Sequence, residues 1–166
     1  MCKRTSPDSR RRFAIKKERM ASVIDQINQH IDQYKAMDRD VIYVRQVNRT
    51  LAARMFSRIF TQGLGVGGNP GCEIDDRIAV VSPHVFDKEQ PRAFSSPGFV
   101  QYLKSRDISE LALTGLDGCF CVNATAKDAL KRSLGVELID AAIATSFPKR
   151  WLRLIQTLLA KGATLV

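Results

Sequence analysis

A chain of 166 residues, 45% hydrophobic and 26% charged, suits one domain with a real core. It has no apolar run near the roughly 20 residues of a membrane span and no apolar stretch behind its basic N-terminus, so a spanning helix and a secretory signal are both excluded as readings and the cytoplasm is the expected setting. The net charge is +9, and residues 1–20 hold +6 of it, from eight basic and two acidic residues, so the basicity belongs to an N-terminal arm (1–16) more than to the domain (17–166). Such an arm can bind phosphates, but no recognition motif accompanies it and Phe13 is its single aromatic, so a solvated tail is expected and nucleic acid is not an expected partner. Cys2, Cys72, Cys119 and Cys121 are too few and too scattered for a disulfide scaffold. The one-residue gap between Cys119 and Cys121 is not the spacing of a zinc knuckle.

Residues 17–36 set Met20, Val23, Ile24, Ile27, Ile31 and Tyr34 three and four apart, the stripe of an amphipathic helix. Asp38 to Asp40 turn the chain. Val41 to Val44 form a short run apolar on both faces, as in a buried parallel strand. Residues 50–60 read as helix, with Leu51, Met55, Phe56 and Ile59 apolar. Gly63, Gly65 and Gly68 match the dinucleotide fingerprint in spacing, but that motif needs a strand before it and a helix after it. Here a helix precedes and Asn69-Pro70-Gly71 follows, so 63–71 reads as a surface loop.

Farther along, Ile78 to Val81 and Val85-Phe86 are extended candidates around Pro83. Residues 97–105 form a short helix, and Glu110 to Gly115 a buried strand. A helix over 121–134, a strand from Val136 to Ile139, a helix over 148–161 opened by Pro148, and a final strand from Ala163 to Val166 complete the chain. Strands alternating with helices predict an α/β domain of three α/β/α layers with a mostly parallel, doubly wound sheet.

The stretch from Leu113 to Val122 carries the chemistry. A buried strand ends near Gly115, a turn through Gly118 follows, and a helix begins near Cys121. Open α/β sheets bind ligands outside the carboxyl ends of their strands. A cysteine at a helix start there sees the positive end of the helix dipole, which favours the nucleophilic thiolate. Backbone N–H groups at the same helix start are suited to hold an oxyanion. On pattern alone, a nucleophile and a buried structural cysteine both stay open for Cys121.

The segment Gly115-Leu116-Asp117-Gly118-Cys119-Phe120-Cys121-Val122-Asn123-Ala124-Thr125-Ala126-Lys127-Asp128-Ala129 resembles the isochorismatase-like cysteine hydrolases, which include nicotinamidases and N-carbamoylsarcosine amidases. In that superfamily a glycine-led turn leads to Cys-Val, then Thr-Ala and Asp-Ala. Val85-Phe86-Asp87-Lys88 with Ala93-Phe94 is similar to the family's strand, catalytic lysine and nearby Phe. Asp40 to Arg45 is similar to its second strand, Gly71 to Ile74 to its linker, and Val136 to Ala142 to the strand after the nucleophile helix. The likeness spans roughly residues 20–166.

The resemblance implies an Asp-Lys-Cys triad. Cys121 would attack an amide or ureido carbonyl carbon, Lys88 would hold the thiolate, and a carboxylate would pass the thiol proton to the leaving amine. It also implies a cis peptide at Leu116-Asp117 which, with the Cys121 N–H, shapes the oxyanion hole. Relatives begin with an apolar strand ending in the catalytic aspartate, in mid-sheet. Here residues 1–10 are polar, charged and broken by Pro7, so that first strand is expected to be degenerate or missing. Counting back from the Ile27-Asn28 register, Asp8 falls near the family aspartate, with a solvated tail residue as the competing reading.

Nicotinamidases carry an Asp-x-His metal cluster. Only His30 and His84 occur here, neither in that context, so no metal and no cofactor are expected. Isochorismate hydrolases proper lack the cysteine, so Cys121 favours C–N hydrolysis of a small amide or carbamoyl substrate. Cys119 stands where many relatives carry Asp and reads as a small packing residue. Relatives form dimers or tetramers, and the Leu51 to Phe60 helix is a candidate interface. The alternative is a catalytically impaired member that binds a small ligand or acts as an oligomeric protein.

Overall fold

The computed structural model describes residue 15 and residues 17–47 and 73–166. In chain order these form α1 (Lys17–Ala36), β1 (Tyr43–Gln46), β2 (Val85–Lys88), a 3-10 turn (Ala93–Ser95), α2 (Pro97–Ser105), β3 (Glu110–Leu116), a π-helical turn (Gly118–Val122), α3 (Asn123–Lys131), β4 (Gly135–Ala144), α4 (Pro148–Leu159) and β5 (Thr164–Leu165). The predicted helix over 50–60, the loop over 63–71 and the N-terminal arm with its degenerate strand lie outside the described residues.

The α1 helix follows its apolar stripe, burying Val23, Ile24 and Ile31, with Glu18 in the first turn and Lys35 in the last to complement the dipole. It stops where Asp38 enters the left-handed region at φ 55°, which Asp tolerates better than most residues, and Arg39 N–H closes on the Tyr34 carbonyl at 2.8 Å. The α2 and α4 helices each open with proline, whose missing N–H costs nothing in a first turn.

Among the described residues all strand pairs are parallel. β1 runs beside β2 with Tyr43 opposite Val85 and Gln46 opposite Lys88. β3, β4 and β5 form a second sheet in that order. Side chains alternate across a strand, and β4 shows helices on both faces. Glu137 accepts the Tyr34 hydroxyl of α1 at 2.7 Å, whereas Val136 and Leu138 lie in one core with Ala126 of α3 and Trp151, Ile155 and Leu158 of α4. Ile42, Val44 and Phe86 of the β1–β2 region pack against that same core. The result is helix, sheet and helix in layers. Among the described residues no helix is long and apolar enough to cross a membrane.

Several boundaries differ from the sequence reading: β1 runs Tyr43–Gln46 rather than 41–44, β2 runs on to Lys88, α3 ends at Lys131 and β5 is only Thr164–Leu165, and three further differences have a physical cause. Ile78 to Val81 is not a strand, because side chains of α1 and β1 take its backbone groups: Ala79 N–H donates to Asn28 at 2.9 Å, Tyr43 hydroxyl donates to Ala79 carbonyl at 2.6 Å, and Val81 N–H donates to that hydroxyl at 3.0 Å. The strand expected at 136–139 runs on to Ala144. The β3–β4 register jumps from Leu113 opposite Leu138 to Gly115 opposite Ile143. Asp140 lies in the extra β4 residues and accepts the Trp151 indole N–H at 2.9 Å. That polar residue hides the strand's continuation from a reading by apolar alternation. Third, the helix expected from Cys121 begins earlier, in the π-helical turn at Gly118.

Candidate active site

Cys121 sits in the π-helical turn between the carboxyl end of β3 and α3, half-buried and with a free thiol. The turn follows a cis peptide bond between Leu116 and Asp117. Gly115, at φ +106°, adopts a conformation that side-chain-bearing residues rarely take. Gly118 is needed for a different reason. A Cβ there would lie 3.0 Å from Ile143 Cγ2 and 3.0 Å from Trp151 Cδ2, so a bare backbone lets the turn press onto β4 and α4.

Asp117 organises the turn. Its Oδ1 accepts from Cys119 N–H at 2.7 Å and from the Thr145 hydroxyl at 2.8 Å, and its Oδ2 accepts from Ser146 N–H at 3.0 Å. Cys119 is buried, with its Sγ 3.5 Å from the Phe147 carbonyl, in keeping with a packing residue. Phe120 is 42% exposed and meets Phe147 edge-on at 5.9 Å, with the Arg150 guanidinium 5.5 Å from its centroid.

Lys88 ends β2 and is buried, its Nζ donating to the Pro91 carbonyl. The residues just beyond it run along α3. Arg92 pairs with Asp128 at 3.8 Å, Ala93 N–H donates to the buried Thr125 hydroxyl at 3.0 Å, and the Phe94 ring lies 4.8 Å below the Arg132 guanidinium. Thr125 lies one helical turn beyond Cys121, so the segment that holds the Lys88 ammonium is fixed to the helix that follows the Cys121 turn. Sequence reasoning gave Thr125 only a place in the family-like helix segment and missed Thr145, Ser146 and the Pro91 carbonyl. Hydroxyl and backbone partners of this kind carry no periodic signal, although the Asp117 side chain at a turn before a helix was a legible capping residue.

Three carboxylates of these described segments are engaged. Asp87 pairs with Arg45 at 2.5 Å and thereby holds the guanidinium above its ordinary range, and Arg45 also pairs with Glu73. Asp117 holds the turn and Asp128 faces Arg92. Asp8, the sequence candidate for the triad, lies outside the described residues, as does Cys72. A cleft of about 310 Å³ opens at the carboxyl ends of β1 and β2, lined by Val47, Asp87, Glu89, Gln90, Ser95 and Pro97. Neither Lys88 nor Cys121 lines it. His30 bonds the Gln26 carbonyl of its own helix at 2.8 Å and His84 meets the Tyr102 ring at a 40° tilt with centroids 4.4 Å apart, and no group of His, Cys, Asp and Glu suited to a metal ion occurs among the described residues.

Comparison with solved structures finds this architecture in several proteins. An isochorismatase family protein from Desulfovibrio vulgaris is 24% identical, with TM-score 0.76 over 87% of this chain and 79% of that one. N-carbamoylsarcosine amidase from Thermoplasma acidophilum is 21% identical, with TM-score 0.76 over 92% of this chain and 86% of that one. Nicotinamidase from Bacillus subtilis is 19% identical, with TM-score 0.76 over 88% and 84%. No curated protein matches the sequence significantly. The Isochorismatase domain model matches residues 8–166, a span that starts at Asp8 and takes in Lys88 and Cys121, and the chain belongs to the isochorismatase family.

Proposed function

We propose that this chain is a cysteine hydrolase that cleaves a C–N bond of a small amide or carbamoyl compound through a thioester on Cys121. One observation carries the reading: Cys121 stands at a strand-turn-helix junction, and the buried Lys88 is held by a segment hydrogen-bonded to the helix leading from that junction. In this scheme the Cys121 thiolate attacks the carbonyl carbon, beside the positive charge of Lys88. The tetrahedral oxyanion takes its hydrogen bond from the Cys121 N–H. The C–N bond breaks, the amine leaves with the proton given up by the thiol, and water then hydrolyses the thioester. Asp8 is the candidate to carry that proton.

The amidase names of two structural neighbours favour an amide-type substrate. A dimer or tetramer in the cytoplasm completes the reading, and Leu116 and Phe120, 55% and 42% exposed beside the site, are apolar surface suited to a neighbouring copy. The test is ammonia release from a panel of primary amides and carbamoyl compounds. The native chain should turn over at least one, and Cys121→Ala none. Equal turnover by Cys121→Ala would overturn the assignment.

A second reading, a non-catalytic member that binds a small ligand, is favoured by the engagement of Asp87, Asp117 and Asp128 with other partners. It predicts ligand-induced stabilisation with no turnover by either form.

A further inference from the structure

The Asp117 side chain does more than cap a helix. Its carboxylate ties three groups from two segments: Cys119 N–H of the nucleophile turn, and the Thr145 hydroxyl and Ser146 N–H beyond the end of β4. Its backbone carbonyl accepts from Phe120 N–H at 3.1 Å and Val122 N–H at 3.2 Å. One residue thus takes the amides of residues 119, 120 and 122, and the Cys121 amide is not among them. The far anchor is itself braced, because the Thr145 hydroxyl oxygen accepts Phe147 N–H at 3.1 Å.

An asparagine could not replace this arrangement. Oδ1 and Oδ2 each face a backbone N–H, so either orientation of an amide would point a donor at a donor. The family resemblance implies for Asp117 a backbone share, with Leu116 and Cys121, in the turn that shapes the oxyanion hole, and says nothing of its carboxylate. Resting on the hydrolase reading above, we propose that the Asp117 carboxylate is a positioning residue for acyl transfer, fixing the turn so that the Cys121 N–H faces the developing oxyanion. Thr145 is the second member of the same clamp.

Two electrophiles separate positioning from mere folding. p-Nitrophenyl acetate acylates a thiolate: the sulfur-to-acetyl-carbon bond forms, the ester C–O bond breaks, and p-nitrophenolate leaves with the electron pair. That step passes through an oxyanion. Iodoacetamide alkylates the same sulfur by displacing iodide, with no oxyanion. Both rates are read at Cys121 by mass spectrometry in the full chain, with thermal unfolding recorded alongside.

The native chain should react with both reagents. Asp117→Asn should acylate on the order of tenfold or more slowly, the scale on which oxyanion donors act, while its alkylation rate changes less than about threefold. Acylation by Asp117→Asn at the native rate would overturn the positioning role and leave the hydrolase reading standing. An equal fall in both rates would also overturn it, marking Asp117 as structural. A native chain whose Cys121 reacts with neither reagent would remove the hydrolase reading and this inference together. If Asp117→Asn does not fold, Thr145→Ser and Thr145→Val carry the test. The serine variant keeps the hydroxyl and should keep native acylation, and the valine variant should show the selective loss. Equal acylation by the two would overturn the clamp.

Discussion

The Ala93 N–H donates to the Thr125 hydroxyl at 3.0 Å, and this bond joins the Lys88 segment to the helix that leads away from Cys121. Thr125 is buried, so the hydroxyl has little access to water as a substitute partner. Thr125→Val keeps the shape and leaves the Ala93 N–H unpaired. The expected cost is about 1–3 kcal/mol of stability, measured by urea unfolding, with a loss of acylation at Cys121 by p-nitrophenyl acetate. Thr125→Ser should retain most of both. Native acylation in Thr125→Val would show that the Lys88 segment does not depend on this tie.

Lys88 is the second functional charge of the scheme. Lys88→Met keeps much of the buried stem and removes the ammonium. Turnover of whichever amide the native chain accepts should fall by on the order of 10²-fold or more, the range of an acid–base or charge-stabilising group. The Pro91 carbonyl also loses its donor, so a stability loss of about 1–3 kcal/mol should accompany it. Lys88→Met with native kcat/KM would remove Lys88 from the mechanism.

Gly118 tests whether the turn needs its close approach to Ile143 and Trp151. A methyl group at 3.0 Å from both side chains forces them to shift. Gly118→Ala should cost about 1–3 kcal/mol through overpacking, read as a lower urea midpoint with unchanged m-value. Stability equal to the native chain would mean that the two neighbours yield freely.

Burial and the bond to Glu137 push the Tyr34 hydroxyl up to about 12. An unfolded chain releases that proton near pH 10, before the folded one does. Stability linked to Tyr34 is therefore fully present below pH 10 and is lost as pH rises from about 10 to about 12. Tyr34→Phe should be less stable at neutral pH and show a shallower alkaline decline in melting temperature. An identical alkaline limb in the two forms would contradict this linkage.

The α1 helix spans the residues its apolar stripe marks, because the pattern Val23, Ile24, Ile31 is the packing itself. The α2 helix was equally legible from Phe99, Val100 and Leu103 on one side. Strand lengths were less so. Asp140 interrupts the apolar pattern of β4, yet its carboxylate is used by Trp151 and the strand continues. The false strand at 78–81 had apolar side chains like a real one, and only its partners, Asn28 and Tyr43, decide otherwise. At the site, the strand-turn-helix junction around Cys121 was legible in local context, whereas Lys88 stood out only through the spacing it shares with the family, and the roles given to both are proposals. Thr125, which takes Ala93 N–H, and Thr145 and Ser146, which donate to the Asp117 carboxylate, meet partners about thirty residues away only in the fold.

The central claim is that Cys121 is a nucleophile. Its most direct test is site-resolved alkylation of the native chain by limiting iodoacetamide at neutral pH, with Cys72, Cys119 and Cys121 quantified separately. Cys121 should be labelled first, ahead of Cys72, with the buried Cys119 last. Slow labelling of Cys121, at or below the rate of Cys72, would contradict it.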